Sequence, residues 1–210
     1  MTLRLIIHPR VELPQVIETG VPGATLFRLL PEHVARDYFD KLMKEEWSHE
    51  LVRDVIHYFY TYNYRDLNEM PKKGPKPPQY IQDLTNVIYS MKLWGKMPSQ
   101  IITNKYLPGQ GIAPHVDHKR FFQDEISTLS LGSGIIMEFR QTVEPFRQVE
   151  CYLPVGYILI MRGDARYGYT HGISKRKTDV INGQTVERGT RISITWRSLR
   201  QDYKDFIDAQ

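Results

Sequence analysis

The sequence predicts an α+β protein, mainly β, in which helical segments precede a jelly roll or barrel of short strands. Apolar residues recur at helical spacing over residues 32–57 and 81–93. From residue 101 onward, short β-rich runs alternate with turn-like clusters of Gly, Pro and Asn. Many short strands of this kind are typical of a jelly roll or barrel. Since 210 residues suit one folding unit, we expect a single domain over residues 1–210.

The individual elements follow from local patterns. The first helix is expected at 32–57, where Pro31 and Glu32 open the run, and the second at 81–93. Between them, alternating aromatic residues at 57–64 predict a strand, and the Pro- and Lys-rich segment 70–78 predicts a loop. Later strands are predicted from their β-branched and aromatic content, at 101–107, 126–131, 135–140, 149–153, 157–162 and 191–197.

Composition and charge exclude several classes of protein. No apolar run approaches the roughly 20 residues needed to cross a bilayer, and the N-terminus lacks the features of a signal peptide. Cys151 is the single cysteine, so an internal disulfide is excluded and a reducing compartment is indicated. A net charge of +4 favours polyanionic partners only modestly. We therefore expect a cytoplasmic or nuclear monomer without membrane contact.

Three residues carry the first sign of chemistry. In the His-Val-Asp sequence at 115–117, the side chains of His115 and Asp117 project to one side of an extended segment, because strand side chains alternate. His171 can supply a third ligand. Two imidazoles and one carboxylate form the ligand set of Fe(II) oxygenases, although a similar set binds zinc in hydrolases. From the triplet and the distant histidine alone, both metals stay open.

A strand-like segment near the C-terminus favours iron. Arg191 and Arg197 share one face of the predicted strand with Ser193 and Thr195. The simplest interpretation is an edge strand with a solvated polar face. Guanidinium groups also bind carboxylates in bidentate fashion. Two arginines near a metal triad can therefore clamp both ends of a dicarboxylic acid such as 2-oxoglutarate.

Four sequence blocks together resemble the AlkB family of Fe(II)/2-oxoglutarate dioxygenases. They are Asn-Lys-Tyr-Leu-Pro-Gly-Gln-Gly at 104–111, His-Val-Asp at 115–117, Tyr-Thr-His-Gly-Ile at 169–173 and the segment 191–197. The resemblance is firm over about residues 101–200 and looser over about 24–100. It implies a double-stranded β-helix (jelly-roll) core at 101–200, preceded by an N-terminal helical extension and a nucleotide-recognition lid.

The resemblance also implies roles for residues at matching positions. The implied iron ligands are His115, Asp117 and His171. The residues implied to hold 2-oxoglutarate are Asn104, Tyr106, Arg191 and Arg197, which places the polar face of the last strand inside the barrel. Arg166 matches a substrate-side arginine. The implied reaction uses dioxygen to convert 2-oxoglutarate to succinate and to hydroxylate a C–H bond, and a hydroxylated N-methyl group then leaves as formaldehyde.

A nucleic acid, DNA or RNA, is the partner that the resemblance implies. An enzyme that acts on a base takes it out of the stack and holds it between aromatic or apolar side chains. The aromatic run offers Tyr58, Tyr60, Tyr62 and Tyr64 for this, and phosphate contacts are expected from Lys72, Lys73 and Lys76 beside it and from Lys119. Tyrosines that alternate in a strand also pack in cores, and a Lys/Pro loop is also simply solvated.

One departure from the family pattern bears on the substrate. Members that repair cationic methylated bases carry acidic residues just after the His-X-Asp sequence, whereas this chain has His118, Lys119 and Arg120. A positive base is repelled there. The segment that begins at Phe122 looks more like the branch containing the enzyme that hydroxylates a wobble-uridine side chain in tRNA. A protein- or small-molecule-directed dioxygenase and a non-catalytic binding module are the remaining alternatives.

Overall fold

Two antiparallel β-sheets form the body of the protein in a computed structural model that describes residues 16–49, 52–61 and 69–209. The strands are β1 (Val16–Glu18), β2 (Ala24–Arg28), β3 (Asp54–Tyr58), β4 (Tyr60–Thr61), β5 (Lys72–Lys73), β6 (Gln100–Tyr106), β7 (Ile112–His115), β8 (Phe122–Leu131), β9 (Ile135–Gln141), β10 (Gln148–Leu153), β11 (Tyr157–Met161), β12 (Tyr169–Ile173), β13 (Thr178–Ile181), β14 (Gln184–Glu187) and β15 (Arg191–Leu199). The helices are α1 (Glu32–Leu42), α2 (Gln79–Ser90), α3 (Gly163–Tyr167) and α4 (Gln201–Asp208).

The larger sheet has the strand order β1-β2-β11-β8-β15-β6-β3, and the smaller sheet has the order β10-β9-β12-β7. Apolar side chains of both sheets meet in one cluster that includes Leu26, Tyr106, Leu159, Phe139 and Cys151. The two sheets therefore pack face to face, as in a jelly roll. The fold class predicted from the sequence is confirmed.

The outer face of the larger sheet is covered by α1 and α2. On β15, the buried Ile192, Ile194 and Trp196 pack in one cluster with Leu42 of α1 and Ile88 of α2. Because side chains alternate along a strand, the intervening polar residues of β15 point to the other side, into the space between the sheets. The expectation that this polar face lies inside the barrel is confirmed, and the edge-strand interpretation is wrong.

The first predicted helix is too long. Helix α1 ends at Leu42, whose carbonyl oxygen accepts a hydrogen bond from the Trp47 indole N–H at 3.1 Å. Val55 and Ile56, farther along, belong to β3, where Val55 pairs with Asn104 of β6. Pairing with a neighbouring strand thus outweighs the helical spacing, which is a weak local preference. The second helix, predicted at 81–93, is confirmed as α2.

The aromatic run does not continue as one strand. Phe59 has φ of 66° and separates β3 from the short β4, which pairs with β5 inside the segment predicted as a loop. Residues 62–64 of the run lie outside the described residues. Strands β2 and β3, from the predicted extension, are members of the larger sheet. Among the described residues, no helix has the length and apolar character that a membrane crossing requires.

Later in the chain, the six predicted strands are confirmed within a few residues, but several short strands were not predicted. The most important of these is β12, which carries His171. The turn signal Asn-Gly at 182–183 is confirmed as the tip of the β13–β14 hairpin, with φ of 52° and 78° at the two residues. Positive φ at both positions is what a type I′ hairpin turn requires.

Candidate active site

The predicted metal ligands meet at one end of the smaller sheet. His115 on β7 and His171 on β12 are directly paired across neighbouring strands, and Asp117 lies two residues beyond the end of β7. Candidate ligand atoms of the three side chains lie within 4.8 Å of one another. The strands approach closely because residue 172 is glycine, where an added Cβ would lie 2.9 Å from the Pro114 nitrogen. The His-X-Asp…His prediction is therefore matched by the geometry.

Hydrogen bonding selects the ring nitrogen that His115 presents to a metal. The Nδ1–H of His115 donates to the carbonyl oxygen of Ala113 at 2.9 Å. A carbonyl only accepts, so the proton resides on Nδ1 and the Nε2 lone pair remains for coordination. The same pattern, in which one ring nitrogen is held by the protein, is typical of metal-binding histidines.

The protonation states at this triad also suit a cation. Burial alone would raise the pKa of Asp117, but the nearby charges, above all Arg197, hold it well below its usual range. Burial and the neighbouring His115 lower the pKa of His171 to about 4. At neutral pH the carboxyl is thus ionised and the imidazole is neutral, which are the forms that bind metal ions.

A cavity between the sheets adjoins the triad. Its lining joins the three candidate ligands to polar and apolar side chains from β6, β7, β8, β9, β11, β12 and β15, and to Arg53. The lining residues are Arg53, Ile102, Asn104, Tyr106, Ile112, His115, Asp117, Ile126, Thr128, Met137, Met161, His171, Ile173, Arg191, Ser193, Thr195 and Arg197. All four residues predicted to hold 2-oxoglutarate are among them.

Arg191 provides a direct test of whether a dicarboxylate fits this cavity. Its side chain is buried, and Nε donates to the Ser130 hydroxyl at 2.9 Å. The terminal nitrogen Nη2 is buried and finds no hydrogen-bond partner among the described residues. Burial lowers the pKa of Arg191 to about 10. A buried cationic donor without a partner is costly, and a carboxylate placed against it removes that cost.

Arg197, at the other end of β15, is tied to the metal triad. Its Nη1 donates to Oδ1 of Asp117 at 2.5 Å, and its Nε donates to the Gln100 side-chain oxygen at 2.7 Å. The guanidinium also lies 4.1 Å from the centre of the Phe122 ring. The two predicted arginines thus differ, because Arg191 keeps an unpaired donor whereas Arg197 orients the ligand carboxylate.

Asn104 and Tyr106 face the same cavity from β6. The Asn104 side-chain oxygen accepts from Nε of Arg53 at 2.8 Å, and the Tyr106 ring lies 5.5 Å from the guanidinium carbon of Arg191. Arg53 was not predicted as a site residue. It precedes β3 without any motif, and it reaches the cavity only because β3 pairs with β6, which sequence periodicity does not reveal.

The lid residues proposed to hold the substrate are placed less favourably. Tyr60 is only 7% exposed and packs in a cluster with Phe121 and Ile207, and its hydroxyl donates to Asp208 of α4 at 2.8 Å. Stacking of a base on Tyr60 therefore requires α4 to move. Tyr62 and Tyr64 lie outside the described residues, so their predicted role stays a prediction.

The predicted lysines lie on the surface. Lys72 pairs with Glu69, and Nζ of Lys73 lies 3.7 Å from a carboxylate oxygen of Asp208. Lys119 is exposed in the segment 117–123, which begins with Asp117 and is called the metal loop from here on, and its ammonium donates to the Tyr167 carbonyl oxygen at 3.0 Å. These side chains remain accessible to a phosphate, and their substrate contacts stay predictions.

Arg166 occupies a setting that the sequence did not suggest. It is 2% exposed and is not among the residues that line the cavity. Its guanidinium donates to the main-chain carbonyl oxygens of Asp117, Gln123 and Phe122, at 2.9, 3.2 and 3.4 Å. The predicted substrate contact of Arg166 is untested, whereas its contacts with the metal loop are part of the fold.

Comparison with known proteins agrees with the geometry. The family model described as the 2OG-Fe(II) oxygenase superfamily matches residues 33–197. An uncharacterised protein of Acanthamoeba polyphaga mimivirus, L905, is 40% identical over 180 residues, which cover 82% of this chain and 84% of that protein. A solved structure titled "The structure of OsALKBH1" has a TM-score of 0.59 at 15% identity, covering 84% of this chain and 98% of the other, and supports the fold alone.

Two further relatives carry functional names. The tRNA (carboxymethyluridine(34)-5-O)-methyltransferase alkbh8 of Xenopus tropicalis is 33% identical over 95% of this chain, which spans 35% of that protein. The mitochondrial alpha-ketoglutarate-dependent dioxygenase alkB homolog 7 of Bos taurus is 30% identical, with 86% of this chain and 84% of that protein covered. The chain thus belongs to the 2OG-Fe(II) oxygenase superfamily and, within it, to the AlkB family of Fe(II)- and 2-oxoglutarate-dependent dioxygenases.

Proposed function

We propose that this dioxygenase oxidises modified nucleobases in DNA or RNA, by demethylation or by hydroxylation. The observation that carries the dioxygenase chemistry is the combination, around one cavity, of the His115, Asp117 and His171 triad with the unpaired buried donor of Arg191. The nucleobase substrate is inferred from the relatives, because the frog relative carries the name of a tRNA-modifying enzyme.

Each part of the cavity has a task in this proposal. The triad holds Fe(II), Arg191 receives the distal carboxylate of 2-oxoglutarate, and Arg197 with Asn104 orients the keto-acid end near the metal. Iron, 2-oxoglutarate and dioxygen, when bound, supply an oxidation that yields succinate and carbon dioxide and inserts one oxygen atom into a C–H bond. The apolar lining between the sheets, which includes Met137 and Met161, excludes water from the reacting groups.

Hydroxylation of a tRNA wobble-uridine side chain is the second candidate. Two observations favour it over repair of cationic bases. The exposed Lys119 and Arg120 lie two and three residues after the ligand Asp117 and place positive charge at the metal loop. This charge repels a cationic base and tolerates a neutral or anionic one. The match to the frog tRNA methyltransferase runs over nearly the whole of this chain, although the chain spans only about a third of that relative.

The test is substrate-dependent succinate formation by the iron-loaded chain. We expect unmodified DNA to leave the basal rate unchanged and one of three nucleic acids to raise it, namely methylated DNA, methylated RNA or total tRNA. Mass spectrometry of the digested nucleosides then identifies the product as a demethylated base or as a nucleoside that has gained one oxygen atom. The matched control is His115→Ala, which retains the nucleic-acid-binding surface and lacks one ligand.

Failure of the test has two distinct forms. A basal conversion of 2-oxoglutarate that no nucleic acid stimulates would refute the nucleobase substrate and favour a protein- or small-molecule-directed dioxygenase, which a peptide screen then examines. An absence of iron-dependent 2-oxoglutarate binding would refute the assignment of the cavity itself.

A further inference from the structure

Arg166 connects the two segments that supply metal ligands. It lies on α3, five residues before the ligand His171, which is the third residue of β12. Its guanidinium reaches across to the segment 117–123, which begins with the ligand Asp117. One side chain therefore bridges the main chain of one ligand-bearing segment and the helix that leads into the other.

The contacts of Arg166 are all to neutral groups of the main chain. Nη1 donates to the carbonyl oxygen of Asp117 itself at 2.9 Å, and Nε and Nη2 donate to the carbonyls of Gln123 and Phe122. Among the described residues, no carboxylate forms a salt bridge with this guanidinium. The Tyr167 ring, 4.8 Å from its central carbon, covers it. A buried cation whose donors are directed to carbonyls fixes the position of those carbonyls.

The position of Arg166 favours a role other than the substrate contact that the family resemblance implies. Arg166 is 2% exposed and does not line the cavity beside the triad. A lysine at this position could not donate to all three carbonyl oxygens, because an ammonium is a compact charge whereas the guanidinium is a planar group with five N–H donors. The three carbonyls are spread over residues 117–123, and a fork is needed to reach them together.

We propose that Arg166 is a positioning residue for the metal site, which fixes the separation of Asp117 and His171 by holding the main chain of the loop that follows Asp117. This inference goes beyond the proposed function and does not depend on the identity of the substrate. In this role Arg166 acts through Asp117 from a position outside the residues that line the cavity.

The test measures metal binding without substrate. Metal-free wild type, Arg166→Lys and Arg166→Gln are titrated with Co(II), a redox-stable stand-in for Fe(II), by calorimetry and by the cobalt absorption spectrum. We expect both variants to bind cobalt about 10- to 100-fold more weakly, the usual effect of removing an outer support of a metal ligand, with an altered spectrum. Arg147→Lys, at an exposed arginine of the β9–β10 turn, is the matched control and should bind as the wild type does.

Three results would overturn the inference. The first is a cobalt affinity within twofold of the wild type in both variants. If the KM for nucleic acid is then also raised, Arg166 contacts the substrate instead. An unchanged cobalt spectrum in both variants would exclude a change in ligand geometry. Loss of the folded metal-free state in both variants, seen by circular dichroism, would make Arg166 a residue of the fold as a whole. The cobalt titrations contain no nucleic acid, so their outcome does not depend on the proposed substrate.

Discussion

The cavity and the predicted lid of this protein are built in opposite ways. The cavity side chains come from long, paired strands, and Arg191 and Arg197 are both almost fully buried. The lid side chains come from β4 and β5, which have two residues each, and Lys72 and Lys73 are exposed. Strand pairing therefore fixes the groups that hold metal and co-substrate, whereas the substrate side depends on a short hairpin and its contacts with α4.

The largest expected effect lies at the metal triad. Asp117→Ala and His115→Ala should each abolish turnover, with a loss well beyond the roughly 10- to 100-fold expected when only an outer support of a ligand is removed. Succinate formation measured at saturating iron and 2-oxoglutarate checks this. His33→Ala, at an exposed histidine of α1, is the control. Full activity of the His115 variant would refute the assignment of the metal site.

The next largest effect concerns the unpaired donor of Arg191. Arg191→Ala should raise the KM for 2-oxoglutarate by about 10- to 150-fold, since a hydrogen bond to a charged group contributes roughly 1.5–3 kcal/mol. The maximal rate at saturating 2-oxoglutarate should fall much less. Steady-state kinetics with varied 2-oxoglutarate separates the two effects. Arg147→Ala is the control, and an unchanged KM in the Arg191 variant would contradict the proposed carboxylate contact.

A smaller effect is expected on the substrate side. Lys119→Glu should weaken the binding of nucleic acid several-fold and should reduce the dependence of log affinity on log salt by about 0.7–0.9 for the one lost phosphate contact. Binding titrations at several salt concentrations check this. Lys44→Glu, after α1, makes the same charge change far from the metal loop and should leave the slope unchanged. Equal salt slopes for the two variants would place the nucleic acid elsewhere.

The smallest effect concerns the contact between lid and C-terminal helix. Tyr60→Phe removes the hydroxyl that donates to Asp208 and keeps the buried ring. We expect Tm to fall by less than about 3 °C, because one hydrogen bond is a small part of the stability of a chain this long. Thermal unfolding by circular dichroism measures it. A rise in activity with the nucleic acid substrate would indicate that this contact holds the lid closed.

These regions also differ in how far the sequence predicts them. Alternation along β15 predicts that Arg191 and Arg197 share one face, but the inward direction of that face was implied only by the resemblance to the AlkB family. The same resemblance, rather than spacing, joined His171 to His115 and Asp117 as a ligand set. The roles of Arg53 and Gln100 were not predictable, because Arg53 reaches the cavity through the pairing of β3 with β6, and Gln100 meets Arg197 through the pairing of β6 with β15. Helix α1 was predicted too long for a related reason. Residues at the end of the predicted helix have a helical local pattern, but they form β3 because they pair with β6.

The lid gave the weakest agreement between sequence and structure. Alternation of aromatic residues predicted one strand, but positive φ at Phe59 redirects the chain and turns Tyr60 into a buried residue beneath α4. Nothing in the local pattern reports that a helix 140 residues later covers this position. Burial by a distant element is a tertiary effect, and periodicity carries no information about it.

The pairing of Arg197 with Asp117 determines how many oxygens this carboxylate can offer to a metal ion. Arg197 engages Oδ1 of the carboxylate, while Oδ2 is the oxygen that lies 3.5 Å from Nε2 of His171. Only Oδ2 would then remain for a metal ion. Held by one atom from each of the three side chains, Fe(II) would supply the oxidising chemistry and would keep coordination positions for the co-substrate and dioxygen. By engaging Oδ1, a single guanidinium would stop the aspartate from taking one of those positions.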